Sequence, residues 1–278
     1  MKKRLLVIAV LLMAAFVCIT VLNGMDTELS PSEPSGSGTA ATDTADIKPS
    51  SKGSPYKFYF ERLTPVEKRV YNAIIEKIYD MPERIAVPKI DGKELDNVFS
   101  ALLFDNPDLF FLGRKCAVET RMWLTYFSVD YIVDKADIAD MRERLDRECE
   151  AFEQTLTDPG NQWRTELEIH DHVIDRCEYH DPEGDLIYSS SYGALVDGRA
   201  ACEGYSKAVK LLLDRAGIEN ALISGVSENG EGSGGAHMWN IVNIGGDYYH
   251  LDCTWDDPVS DDGGKLRMYT YFLSLIHI

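Results

Sequence analysis

Apolar residues recur at every fourth position through Val66, Val70, Ile74 and Ile78, which predicts one buried helical stripe. The preceding Thr64-Pro65-Val66-Glu67 is a capping-box start, with an N-cap threonine, proline at the first helical position and glutamate at the third. A second helical piece holds Val98, Leu102 and Leu103 and stops at Asp105-Asn106-Pro107. Alternation from Met122 to Tyr131 predicts a strand. Ile138, Met141, Leu145, Cys149, Phe152 and Leu156 sit at helical spacing in a charged segment that Asp158-Pro159-Gly160 ends. Further on, Leu167, Ile169, Val173, Ile174 and Cys177 predict one helix. Tyr205, Val209, Leu212 and Ala216 predict another, closed by Gly217. Two strands, His237–Ile244 and Asp247–Trp255, are joined by Gly245-Gly246, a two-residue hairpin signal.

The first 55 residues read differently. Met1-Lys2-Lys3-Arg4 precedes an apolar run from Leu5 to Leu22, the pattern of an export signal or an uncleaved membrane anchor. Cys18 sits where a lipoprotein would carry its lipid, but the bulky Val17 before it argues against lipidation. Residues 26–55 are Ser, Thr, Pro or Gly at 18 of 30 positions, too few apolar groups to offset chain entropy, so they read as a linker with order beginning near Tyr56. The regions expected are therefore a signal or anchor (1–24), a linker (25–55), a lead-in region without nameable chemistry (56–160) and a catalytic domain (161–278).

Twenty-eight Lys and Arg stand against 46 Asp and Glu, a net charge of −18. So acidic a chain repels phosphate backbones, which disfavours nucleic acid as a partner and leaves membrane contact to the N-terminal segment. His170 and His172 point to different helix faces and do not make a metal pair. Asp256, Asp257, Asp261 and Asp262 lack EF-hand spacing and read as an acidic turn; no metal and no cofactor is expected. Cys116, Cys149, Cys177 and Cys253 allow three pairings if two bridges form, though a chain of this size can bury a core without one.

The chemistry concentrates in three segments. Cys202 precedes the helix running to Ala216, where the dipole and the unpaired first amides favour thiolate. Gly204 leaves the backbone there open to close approach. With Gly245-Gly246 as the loop, Ile244 faces Asp247, Trp239 faces Asp252 and His237 faces Thr254. His237 and Asp252 then share one face as diagonal neighbours, about 7–8 Å apart at Cα. Cys253 points to the other face. A thiolate, a histidine able to move a proton and an aspartate orienting the ring are the parts of acyl transfer through a thioester, with the Cys202 amide as an oxyanion donor. Tyr192, Trp239, Asn240 and Trp255 are candidate walls of the site. The loop Ser227–Gly235 reads as a flexible connection placed to act as a lid, because it leads into His237.

The run Tyr192–Ser206, Ala236-His237-Met238-Trp239-Asn240 and Tyr249–Pro258 resembles the transglutaminase-like superfamily, in particular its bacterial extracytoplasmic members. The likeness covers about residues 165–272, with Ile169-His170-Asp171 and Tyr179 similar to the helix that opens that core. It implies an α+β, papain-like fold with an antiparallel sheet packed on the cysteine-bearing helix. It further implies Cys202 as nucleophile, His237 as general base and acid, and Asp252 as orienting carboxylate. The chain stops at Ile278, whereas members usually continue past the segment matching Tyr269–Phe272. An exported enzyme acting on peptide or protein amides, by hydrolysis or transamidation and in association with the cell wall, is the leading expectation. The rival is a cell-surface binding module that keeps the fold without activity.

Overall fold

The computed structural model describes residues 47–229, 233–258 and 266–274, in two compact units that divide between Ala139 and Asp140. The apolar run Leu5–Leu22, most of the linker and the acidic pair Asp261-Asp262 lie outside the described residues. Among the described residues no helix is long and apolar enough to cross a membrane.

The first unit holds α1 (Pro65–Ile75), β1 (Ile85–Val87), α2 (Gly92–Asp105), β2 (Leu112–Arg121) and β3 (Leu124–Tyr131). Both bonds of the expected capping box form at Thr64 and Glu67, and Val70, Ile74 and Ile75 face the core. The strands make an antiparallel sheet in the order β1-β3-β2. The expected strand over 122–131 starts two residues late, because Met122 adopts φ +54° and turns the chain there. Order also starts earlier than Tyr56. Asn72 bonds the Lys48 carbonyl and the Ser50 amide, both at 2.9 Å, while buried Asn106 accepts from the Ser54 amide at 3.2 Å. These side-chain anchors on α1 and after α2 hold a segment whose own composition could not fold it. A chain beginning at Tyr56 is therefore expected to be less stable than one beginning at Ile47 by about 1–3 kcal/mol, read from urea midpoints. Equal midpoints would show that the anchors contribute nothing.

The second unit holds α3 (Ile138–Glu153, from Asp140 on), α4 (Gln162–Arg176) and the short parallel pair β4 (Glu178–Tyr179) and β5 (Arg199–Ala200). After these come α5 (Cys202–Arg215), β6 (Asn220–Asn229), β7 (Ser233–Ile244) and β8 (Asp247–Leu251). α3 packs within this unit: Phe152 stacks on His172 with ring centres 4.2 Å apart, and Glu153 pairs with Arg215. The antiparallel sheet runs β6-β7-β8, and α5 lies on it. The Asn240 amide group donates to the Ser206 carbonyl at 3.0 Å, and the Ser206 hydroxyl lies 2.8 Å from the Met238 carbonyl. This is the α+β arrangement expected, with the sheet against the helix that begins at the cysteine. A Schellman closure ends α5, with Gly217 at φ +71° and the Ile218 amide on the Leu213 carbonyl at 2.9 Å.

The hairpin register is the one read from Gly245-Gly246, from Ile244↔Asp247 through Asn240↔Leu251. Two details differ. β8 ends at Leu251 rather than Trp255, because the Asp252 carboxylate accepts the Thr254 and Trp255 amides at 3.1 and 3.2 Å and turns the chain. Most of the expected loop Ser227–Gly235 is strand, since β6 and β7 remain paired out to Asn229↔Ser233; its tip, 230–232, lies outside the described residues.

Candidate active site

Cys202 is the first residue of α5, and Ala201 before it offers no side chain to cap the helix. The orphan amides of the first turn and the dipole's positive end thus face the thiol's surroundings. Gly204 is required by the packing here. A β-carbon on it would come within 2.6 Å of the Tyr188 carbonyl oxygen and of the Ala200 side chain. The helix start therefore lies directly against the chain that precedes it.

His237, on β7, is 7% exposed, and its Nε2 lies 2.6 Å from Asp252 Oδ2. Cys202 shares the cleft with His237 and lies near enough to the ring to raise its pKa alongside Asp252. Burial by itself would push the ring's pKa down. The hydrogen bond that Asp252 accepts, with the influence of Asp252 and Cys202 beside the ring, outweighs it, and the pKa rises to about 9. The ring also stacks with two indoles. Trp255 lies 5.0 Å and Trp239 6.0 Å from it by ring centre, each tilted by 21°, an arrangement that favours the cationic ring. Asp252 keeps one oxygen for His237 and gives the other to the turn amides, so its carboxylate cannot swing freely.

Of the remaining candidates Trp255 is the one that lines the cleft. Trp239 donates from Nε1 to His250 Nδ1 at 2.8 Å, and burial holds His250 below the usual histidine range, so that nitrogen keeps its lone pair. Asn240 is buried and ties β7 to α5 rather than facing the cleft. Tyr192 is buried, with the Arg144 guanidinium 5.6 Å from its ring centre. Cys253 is buried and its thiol is pushed well up by burial, away from the reactive group. The five cysteines among the described residues are free thiols.

The cleft itself, about 440 Å³, is lined by Tyr179, Cys202, Ser227, Ala236, His237, Thr254, Trp255, Asp257, Pro258 and Tyr271. Tyr271 and Asp257 escape a motif reading. Tyr271 comes from the segment 266–274, and its ring meets Trp255 edge-on at 5.0 Å. Asp257 accepts from the Tyr205 hydroxyl at 2.6 Å, linking the turn after Asp252 to α5. Among the described residues no cluster of His, Cys, Asp and Glu is arranged to hold a metal ion.

Comparison with known proteins bears on the family. Residues 150–253 match the family model of the Transglutaminase-like superfamily. No curated protein matches the chain. Among solved structures, the crystal structure of a TGase is 13% identical, with 62% of this chain and 50% of that chain covered and a TM-score of 0.34. The periplasmic domain of TgpA from Pseudomonas aeruginosa is 15% identical, with 49% and 55% covered and a TM-score of 0.31. The chain thus spans about half the length of these structures. The family match begins in α3, contains Cys202, His237 and Asp252, and ends at Cys253; over those residues the chain is similar to the Transglutaminase-like superfamily.

Proposed function

We propose that the chain is an exported thiol enzyme that transfers the acyl group of a peptide or side-chain amide through a thioester. The observation that carries this reading is the His237 ring, bonded to Asp252 through Nε2 at 2.6 Å and sharing one cleft with Cys202 at the start of α5. The Cys202 sulfur attacks the amide carbonyl carbon, and the amide of Cys202 at the start of α5 holds the resulting oxyanion. As the C–N bond breaks, protonated His237 gives its proton to the departing amine. Neutral His237 then takes a proton from water or from a second amine, which attacks the thioester and releases Cys202. Asp252 keeps the ring in register throughout.

Export is read from the basic cap and the apolar run at the N-terminus. Substrate charge follows from the electrostatics. Residues 140–278 carry 11 Lys and Arg against 27 Asp and Glu, and the cleft lining named above includes Asp257 but no Lys or Arg. Such a field raises the local concentration of basic peptides and repels acidic ones.

Mass spectrometry after incubation with a glutamine-containing peptide and a labelled primary amine tests the reading. Amine incorporation or loss of ammonia to water, faster on a lysine-flanked than on a glutamate-flanked peptide, is expected. An unchanged peptide in both cases, and in a panel of basic peptides with cleavable backbone amides, would overturn it.

A further inference from the structure

His170 on α4 and Asp256 in the turn after β8 are both fully enclosed, at 0% exposure, and neither touches the cleft. His170 Nδ1 lies 3.0 Å from Asp171 Oδ1 and its Nε2 lies 3.3 Å from Asp256 Oδ2. Asp256 is the junction of three segments. Its carboxylate accepts the Tyr271 amide, at 3.0 and 3.2 Å to its two oxygens, and its carbonyl accepts the Met268 amide at 2.8 Å. Its own amide donates to the Asp252 carbonyl at 3.2 Å, while the Asp252 amide donates to the Tyr271 carbonyl, also at 3.2 Å. Asp252 is therefore held at both backbone groups by Asp256 and by the segment that Asp256 binds.

The ring contacts follow the same path. His170 packs against Tyr269 and Phe272, with ring centres at 5.3 and 5.1 Å. Tyr271 meets Trp255, and Trp255 lies on His237. A carboxylate enclosed this completely is costly unless donors reach it. The donors here are two: the imidazole from α4 and one backbone amide from 266–274. Taking away the imidazole leaves the turn anchored on one side only.

We infer that His170, acting through Asp256, is a positioning residue that fixes the 252–257 turn so that Asp252 Oδ2 meets His237 and Trp255 covers the ring. This rests on the reading of Cys202, His237 and Asp252 as the reactive group, and it extends that group to a helix 32 residues before the cysteine in the chain.

The test is the rate of Cys202 alkylation by iodoacetamide, read by peptide mass spectrometry on the full chain well below its unfolding temperature. His170→Phe should slow alkylation about tenfold, the scale of a small misplacement at a reactive centre. In an Asp252→Ala background the same substitution should add nothing, because the path ends at Asp252. His170→Gln, whose side-chain amide can still donate to Asp256, should restore most of the rate. A role confined to stability would lower the unfolding midpoint and leave the rates alone. Should His170→Phe fail to fold by circular dichroism, Asp256→Asn carries the same cycle. A parental rate in His170→Phe, or an equal slowing in both backgrounds, would overturn the inference. If Asp252→Ala itself reacts at the parental rate, the reactive-group reading fails instead.

Discussion

Cys202→Ala is expected to abolish amide turnover, a loss on the order of 10⁴-fold or more, since it removes the sulfur that carries the acyl group in the proposed reaction. His237→Ala should act on the same step by a different route. It removes the protonated ring near the sulfur, so iodoacetamide should label Cys202 at least tenfold more slowly at pH 7. The two substitutions together should be no worse than Cys202→Ala alone for turnover, because the residues act as a unit. Cys253→Ala, by contrast, should leave the labelling of Cys202 unchanged, since that thiol is buried apart from the cleft. Labelling of Cys202 that ignores His237 would remove the basis for the proposed chemistry and favour a binding module.

The alkaline limb of activity is expected near pH 9 and should belong to His237. Its pKa is raised from 6.5 to about 9, so the ring is protonated through neutral pH and loses its proton as pH rises through 9. The protonated form is the one that can hand a proton to the leaving amine, so acylation should fall on the alkaline side and not gain. Asp252→Asn withdraws the carboxylate's hydrogen bond and charge. The limb should then move to lower pH, toward the ordinary histidine value, and the rate below the limb should drop by about 10²–10⁴-fold. The measurement is kcat/KM for an amide substrate against pH in the parent and the Asp252→Asn variant. A limb that stays in place in the variant would mean that some other group titrates.

Much of this protein is legible along the chain because the rules involved are local. The Thr64–Glu67 capping box, the Gly217 closure of α5 and the Gly245-Gly246 hairpin each depend on residues within a turn or two of one another. The hairpin matters most. Once its two glycines set the register, β8 is fixed against β7 as far as Asn240↔Leu251, and Asp252 follows one step beyond, where the turn brings its carboxylate to His237. Cys202 is placed equally locally, by the amphipathic helix it begins.

Other features have no local signature. β6 carries Ser224, Gly225, Ser227 and Glu228 and shows no alternation; it is a strand because β7 pairs with it along its length. Residues 48–54 have a linker's composition and are held by Asn72, Glu76 and Asn106. Asp252 reads as the sixth residue of a strand but sits one step beyond it, because capping two amides by its own carboxylate competes successfully with the ladder. Tyr271, Asp256 and His170 come together from the segment 266–274, a turn and α4, and no spacing in the chain relates them.

The amino-acid sequence alone therefore determined the helix that Cys202 begins and the hairpin that brings His237 toward Asp252, since backbone periodicity and turn geometry act over a few residues. Only the tertiary structure decided what surrounds those three residues: the Trp239 and Trp255 rings stacked with His237, the Tyr271 wall and the His170–Asp256 junction. Those contacts arise from burial, which places distant segments against one another according to shape and donor–acceptor demand, and burial leaves no periodic mark on the chain.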